Sequence, residues 1–259
     1  MINCEGLGNW RRPARGAETE IPGPGRNLPG GGLTVSAQKS PDDWKEHALS
    51  RIDPARTALL VIDLQIDFCS DDGALAALGS DVSPCRAVAN RIAGFLPTIR
   101  ADVALTAFFQ LIYNPEKMSE SQRERLIRNG RPIICAPESA GSELFIKPVP
   151  GDLVFTKHRY SAFSNDQVCR LLHERSITTV AVVGVDTHIC VEGTVRQGYD
   201  LGYRMIVLSD LVATRQSELA RHENSLAICG RYFALTMESD AFLHIMQHQG
   251  TLACKHDTV

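Results

Sequence analysis

The chain has 259 residues, of which 44% are hydrophobic and 22% are charged, so it is long enough to bury the core of one principal globular domain. A net charge of -3 argues against a surface built to bind nucleic acid or an anionic membrane. No apolar run approaches the roughly 20 residues that cross a bilayer, and no apolar signal segment is visible at the start. We therefore expect a cytoplasmic protein.

Three regions are predicted along the chain. Residues 22–32 contain eight Pro or Gly residues in eleven, so residues 1–40 are predicted to form a flexible Gly/Pro-rich N-terminal extension. Residues 41–249 are predicted to be the folded domain, and residues 250–259 a C-terminal tail. The eight cysteines form no CxxC pair, so most of them are expected to be reduced thiols.

Short β-branched runs alternate with helical periodicity after Ala55, which predicts an α/β fold with three layers: a Rossmann-like six-stranded parallel sheet with helices on both faces. The predicted strands are Thr57–Ile62, Val103–Phe109, Leu153–Thr156, Thr179–Val185, Met205–Leu208 and Tyr232–Thr236. The predicted helices are Pro84–Ile99, Ser119–Asn129, Asn165–Glu174, Ile189–Leu201, Gln216–Cys229 and Ser239–Gln247. Ser164 is expected to cap one helix and Gly202 to end another.

Polar residues that end apolar strands are the candidates for chemistry, because ligands of open parallel sheets bind beyond the carboxyl ends of the strands. Asp63 ends the first strand. Its side chain is interpreted either as a turn cap or as a proton acceptor. Lys157 ends the third, as a solvated charge or as a cation that stabilises a thiolate.

Cys190 follows the fourth predicted strand, in the first turn of a helix that Thr187 is expected to cap. One interpretation is a small buried apolar residue. The other is a nucleophile, because the helix dipole favours an anion there and the thiol is expected to ionise more readily than the free value of roughly 8.5. The backbone N–H groups of such a turn also suit an oxyanion.

The segments around these residues resemble the isochorismatase-like cysteine hydrolases over roughly Ala55 to Met246. The resemblance rests on the sequences VIDLQIDF from Val61, KHRYSAF from Lys157 and GVDTHICV from Gly184. It implies a triad of Asp63, Lys157 and Cys190 on a Rossmann-like sheet in a homodimer or homotetramer.

The resemblance also implies a cis peptide between Val185 and Asp186, with the backbone N–H groups of Asp186 and Cys190 as oxyanion hole. The residues predicted to bind substrate are Gln65, Phe68, Tyr160, Phe163 and His188. Neither a metal ion nor another cofactor is expected, since residues 108–114 lack the histidine of the metal-dependent nicotinamidases.

The presence of Cys190 favours C–N hydrolysis over the vinyl ether hydrolysis of the isochorismate-cleaving members, which lack this cysteine. The leading hypothesis is an amidohydrolase that attacks a small amide, ureido or N-carbamoyl substrate and forms a thioester. Asp186 and His188 depart from the usual residues of the family, so a catalytically silent ligand-binding or interaction protein is the alternative. A redox thiol enzyme is a third hypothesis, although no resolving cysteine lies near Cys190 in sequence.

Overall fold

A six-stranded parallel sheet in the order β3-β2-β1-β4-β5-β6 forms the centre of the protein. The computed structural model describes residues 47–130 and 132–253, so the predicted extension at residues 1–40 lies outside the described residues. The strands are β1 (Thr57–Ile62), β2 (Leu105–Leu111), β3 (Leu153–Lys157), β4 (Thr179–Val185), β5 (Arg204–Ala213) and β6 (Ala234–Met237).

The helices that connect and follow the strands are α1 (Ile66–Cys69), α2 (Ala74–Ala77), α3 (Ser83–Ile99), α4 (Glu120–Asn129), α5 (Asp166–Glu174), α6 (Glu192–Asp200), α7 (Leu219–Tyr232) and α8 (Ser239–Ala253). Helices α3 and α8 pack on each other and on the sheet, and so do α6 and α7. Because parallel connections are right-handed and the strand order reverses after β3, these two pairs cover opposite faces. The predicted three-layer α/β fold is confirmed.

The two central strands are the most deeply buried part of the sheet. Every residue of β1 and β4 is buried, as expected of β-branched and aliphatic runs that are covered on both faces. The edge strands β3 and β6 are partly exposed. The hydrophobic core therefore surrounds β1 and β4, and the loops after these two strands start from rigid positions.

Most predicted elements are present, but several differ at their ends. Strands β2 and β6 begin two residues later than predicted, and helices α6 and α7 begin three residues later. Asn165 rather than Ser164 caps α5, because its side chain accepts a hydrogen bond from the backbone N–H of Gln167. Helix α8 continues to Ala253, four residues into the predicted tail, and residues 254–259 lie outside the described residues. Strand β5 runs to Ala213 rather than Leu208. Gly202 follows α6 with φ +90°, as expected of a helix stop.

Within the described part of the chain, no helix is both long enough and apolar enough to span a membrane.

Candidate active site

Three chain segments bring the predicted triad together at the carboxyl edge of the sheet. Asp63 directly follows β1, and Lys157 is the last residue of β3. Cys190 lies in a single π-helical turn, Thr187–Val191, that joins β4 to α6. Since β1 and β4 are neighbours at the point where the strand order changes direction, their ends form the crevice in which ligands of such sheets bind.

A fully buried ion pair lies at the centre of this crevice. Lys157 Nζ donates to Asp63 Oδ2 at 2.6 Å, and both side chains have 0% exposure. The ammonium also donates to the backbone oxygens of Tyr160 (2.8 Å) and Arg159 (3.2 Å), so each of its three protons has a partner. Asp63 Oδ1 is buried without a standard hydrogen bond to any described residue, which leaves this oxygen able to accept a proton.

Burial is the largest single influence on the pKa of each triad residue, and for Asp63 and Cys190 it sets the direction of the shift. It raises the pKa of Asp63 more than the charge of Lys157 and a hydrogen bond from the Cys190 thiol lower it. For Lys157, burial opposes the charge, but the neighbouring Asp63 and Cys190 together raise the pKa. The ion pair therefore combines a firmly charged ammonium with a carboxylate that is more basic than usual.

The prediction that Cys190 ionises readily is wrong for the free protein. Burial raises the pKa of Cys190 well above its ordinary value, and the opposing effect of Lys157 is smaller. Cys190 is only 4% exposed and lies beside the negative charge of Asp63, so its thiol stays protonated until a base accepts the proton. The structure thus places a neutral thiol next to a buried carboxylate that can take its proton.

Close packing of β1 against β4 fixes the position of the Cys190 turn. Gly184 has φ +119°, and a Cβ atom at this position would lie 2.1 Å from the backbone oxygen of Ile62. Only glycine fits there. The peptide bond between Val185 and Asp186 is cis, as the family resemblance implied.

Side chains from other elements hold the same turn. Thr187 was predicted to cap the turn, but Asp186 occupies the cap position. The Oγ1 of Thr187 instead lies 2.8 Å from Nδ1 of His222 on α7. Thr194 Oγ1 donates to the backbone oxygen of Cys190 at 2.7 Å and accepts from the backbone N–H of Ala162 at 3.0 Å. Through these two hydrogen bonds, Thr194 connects the Cys190 turn to the loop that follows Lys157.

A small cavity of about 90 Å³ opens beside Cys190. Phe68 and Tyr160 line it, so both lie where they were predicted to meet a substrate. Most of the remaining wall is apolar, including Leu111, Tyr113 and Ile189. The cavity therefore suits a compact ligand with an apolar segment that packs against this wall.

Two of the predicted substrate-binding residues have structural roles instead. The side chain of Gln65 is fully buried and bonds to the backbone N–H and C=O of Leu111 and to the C=O of Ser142, so no donor remains for a ligand. Phe163 is 2% exposed and stacks on Tyr203, with 5.4 Å between ring centroids, away from the cavity wall. Both side chains are directed into the buried interior and neither lines the cavity.

His188, the third such residue, also lies outside the cavity wall. Its Nε2 is 3.8 Å from Glu218 Oε2, and burial lowers the pKa of its imidazole. Its position next to Glu218 makes it part of a polar cluster beside the cavity rather than a direct contact for substrate.

Asp67, which follows Gln65 in the same segment, is likewise structural. Its carboxylate accepts hydrogen bonds from the backbone N–H groups of Ala74 (2.8 Å) and Cys135 (2.6 Å), which joins two loops at the rim of the site.

Arg215 is a cavity residue that the sequence prediction missed. It is 7% exposed, and its nearest carboxylates, Asp186 and Glu218, are each 3.9 Å away. Its Nε is buried without a hydrogen-bond partner among the described residues. The prediction ended β5 at Leu208, five residues before its actual end at Ala213. With the correct end, Arg215 would have been recognised as a polar residue that follows a strand of the sheet.

Arg125 of α4 is a second cation in the cavity wall, with its guanidinium 5.6 Å from the ring centroid of Tyr160. The described residues contain no group of three or more His, Cys, Asp or Glu side chains arranged to hold a metal ion.

Comparison with known proteins places this geometry in a family. The chain matches the model of the isochorismatase domain over residues 57–241. It is 31% identical to the ureidoacrylate amidohydrolase RutB of Methylobacterium radiotolerans over 228 residues, which cover 82% of this chain and 84% of that protein.

Solved structures show the same fold. A cysteine hydrolase from Pseudomonas syringae pv. phaseolicola superposes with a TM-score of 0.66 at 23% identity, covering 76% of this chain and 95% of the other. An N-carbamoylsarcosine amidase from Thermoplasma acidophilum superposes with a TM-score of 0.57 at 26% identity, covering 71% and 97%. On the family match and the relationship to RutB, the chain belongs to the isochorismatase family.

Proposed function

We propose that this protein hydrolyses the C–N bond of a small ureido or N-carbamoyl acid through a thioester on Cys190. The observation that carries the proposal is the buried thiol beside the Asp63–Lys157 ion pair at the wall of a small cavity. The enzyme is an amidohydrolase, consistent with the names of its relatives, which include a ureidoacrylate amidohydrolase and an N-carbamoylsarcosine amidase.

The first half of the reaction forms the thioester. Asp63 accepts the thiol proton as the sulfur of Cys190 attacks the carbonyl carbon, and the raised pKa of Asp63 makes this transfer easier. Lys157 keeps its charge and stabilises the developing negative charge on sulfur. The backbone N–H groups of Asp186 and Cys190 bind the carbonyl oxygen as it becomes an oxyanion.

The second half releases the products. The C–N bond breaks as Asp63 returns its proton to the leaving nitrogen, which departs as an amine or as ammonia. A water molecule then attacks the thioester and transfers a proton to Asp63, and that proton passes back to the sulfur of Cys190. The acid or carbamic acid leaves, and the starting protonation state is restored.

The position of Arg215 in the cavity wall favours a substrate that carries a negative charge. The buried guanidinium lies 3.9 Å from Asp186 and 3.9 Å from Glu218, but its Nε donates to neither, so a ligand carboxylate that pairs with it in two hydrogen bonds would complete its hydrogen bonding. The apolar walls accommodate the short carbon chain between this carboxylate and the ureido group. We therefore place the acid group of the substrate at Arg215 and its carbonyl at Cys190.

Ammonia release from ureido acids, N-carbamoyl amino acids, biuret, nicotinamide and simple primary amides tests the function. We expect turnover of the ureido or N-carbamoyl acids and its loss in Cys190→Ala, whereas Cys169→Ala, which changes a half-buried thiol outside the cavity, keeps it. Equal activity of wild type and Cys190→Ala would overturn the mechanism. Tight binding of these acids without turnover would show the catalytically silent protein instead.

The contribution of Arg215 is tested separately. Arg215→Gln should raise KM for the acids by at least about tenfold, equivalent to roughly 1.4 kcal/mol, and leave KM for the corresponding neutral amides unchanged. Arg221→Gln is the matched control, because Arg221 contacts the same Glu218 but is 67% exposed. A similar rise for acids and neutral amides would exclude a carboxylate contact.

We further propose a cytoplasmic homodimer or homotetramer that binds neither nucleic acid nor membranes. The six cysteines in the described residues are all free thiols, which supports a reducing compartment. Light scattering coupled to gel filtration gives the number of subunits directly, and a monomer would contradict the proposal.

A further inference from the structure

A second cleft, at the opposite edge of the sheet, is lined by four arginines. It has a volume of about 590 Å³ and lies where β4, β5 and β6 begin, whereas Cys190 follows the end of β4. The seven residues of β4 separate the two edges by about 23 Å at 3.3 Å per residue. A ligand in this cleft therefore cannot reach the Cys190 thiol.

Among the described residues, arginines outnumber carboxylates in the wall of the cleft. The arginines are Arg51, Arg56, Arg204 and Arg231, and none of them forms an ion pair with a carboxylate of the described residues. Asp53 is the single acidic residue of the wall in the part of the chain that the structure describes, and its side chain accepts a hydrogen bond from the backbone N–H of Ala55. Four cations thus face one carboxylate that already caps a helical turn.

Two of these guanidinium groups are held in place. Arg204 Nη1 donates to the backbone oxygen of Arg51 at 3.0 Å, and Arg56 Nε donates to the backbone oxygen of Ser176 at 2.8 Å. Burial, together with the charge of Arg51, lowers the pKa of Arg204, as expected where like charges are close. Planar donors that are fixed in this way suit an anion with several oxygens.

Aromatic side chains form the other wall of the cleft. Tyr232 is 63% exposed and Tyr199 is 50% exposed, and both lie next to Phe233. Exposed rings beside guanidinium groups offer a stacking surface for a planar group that is attached to the anion.

We propose that this cleft binds a phosphate-bearing ligand, with the phosphate at the four arginines. An inorganic polyphosphate and a nucleotide share this chemistry, and they differ in whether the tyrosine wall contributes. The site is separate from the Cys190 cavity and does not depend on the proposed hydrolysis.

Isothermal titration calorimetry of the full-length protein with pyrophosphate and with uridine monophosphate tests the proposal at constant ionic strength. We expect both to bind, and Arg56→Gln/Arg231→Gln to weaken both by at least about tenfold. The matched control Arg128→Gln/Arg170→Gln removes the same charge from exposed positions on α4 and α5 outside the cleft, and should bind as wild type.

Tyr232→Ala distinguishes the two sources. Weaker binding of uridine monophosphate with unchanged binding of pyrophosphate would identify a nucleotide site, and no change in either would identify a site for phosphate alone. Failure of both probes to bind wild type at millimolar concentration would overturn the proposal. Equal weakening in the control variant, or loss of binding in Arg215→Gln but not in the cleft variant, would do so as well.

Discussion

Replacement of Asp63 by asparagine isolates the role of the buried ion pair. Asp63 has φ +51°, a conformation that asparagine tolerates, and the side chains have nearly the same shape. Asp63→Asn therefore removes the charge and little else. Lys157 keeps its two backbone acceptors but loses its only carboxylate partner within 4.0 Å among the described residues.

The magnitude follows from the cost of either state of Lys157 in the variant. A charged lysine without its partner in a fully buried site costs about 3–5 kcal/mol. The alternative is a neutral lysine, and bringing a group with an ordinary pKa of 10.5 to neutrality at pH 7 costs about 5 kcal/mol at 1.36 kcal/mol per unit. The expected loss of unfolding free energy at pH 7 is therefore about 3–5 kcal/mol.

The pH dependence gives a sharper test. If Lys157 is neutral in the folded variant, the unfolded state binds one more proton, so the stability of the variant rises with pH. The cost relative to wild type then falls toward about 2 kcal/mol at pH 9, where neutrality requires only 1.5 units. In wild type, Lys157 is charged in the unfolded state below its ordinary pKa of 10.5, and its raised pKa keeps it charged in the folded state as well. Its contribution to the stability of the folded protein is therefore lost only above about pH 10.5.

Urea denaturation followed by circular dichroism at pH 7, 8 and 9 measures these differences. The control is Asp152→Asn, which breaks a bidentate pair with Arg100 at 2.9 Å. Because arginine stays charged, the cost of the control should not change with pH, and activity should persist. A loss below about 1 kcal/mol in Asp63→Asn would refute an uncompensated buried lysine.

Three further predictions concern the same site. Alkylation of Cys190 by iodoacetamide, followed by peptide mass spectrometry, should be slow at pH 7 and rise about tenfold per pH unit, because its raised pKa leaves little thiolate. Gly184→Ala should lose more than about 4 kcal/mol of stability, measured as soluble yield and melting temperature, since its Cβ would lie 2.1 Å from the Ile62 oxygen. Gly141→Ala should cost about 1–3 kcal/mol by displacing the Asp67 carboxylate, 2.1 Å from the new Cβ, and should lower the urea midpoint.

A specific result would contradict each of these three predictions. Alkylation of Cys190 at pH 7 that is faster than that of an exposed thiol would show that the thiol ionises in the free protein. Gly94→Ala is the control for both glycine variants, since a Cβ there meets nothing within 4 Å, and it should leave stability equal or slightly higher. Wild-type stability in Gly184→Ala or Gly141→Ala would contradict the close packing at that position.

Features that depend on a local residue pattern could be predicted from the sequence alone. Strands β1 and β4 match their predicted ends, because uninterrupted β-branched and aliphatic runs are typical of buried parallel strands. Asp63, Lys157 and Cys190 could be proposed as a group since each lies at the end of such a run, and the family motifs cover all three.

Features that depend on contacts between distant segments could be found only in the folded structure. Gln65 and Phe163 lie in the motifs that carry the family resemblance, yet the first bonds to the backbone at Leu111 and the second stacks on Tyr203. Arg215 was missed because Asp210 interrupts the apolar pattern of β5, whose pairing with β4 nevertheless continues to Ala213. The pattern of a sequence shows which face of an element is buried, but not which partner it meets.

The ionisation of Cys190 is the clearest case. Its place in the first turn after a strand suggested a thiol of low pKa, which is a local argument from the helix dipole. Its actual environment is set by the loops that bury it and by the charges of Asp63 and Lys157, which are 127 and 33 residues away in sequence. Burial destabilises the thiolate more than the helix dipole and the charge of Lys157 stabilise it. Burial depends on the folded chain and could not be derived from the local sequence.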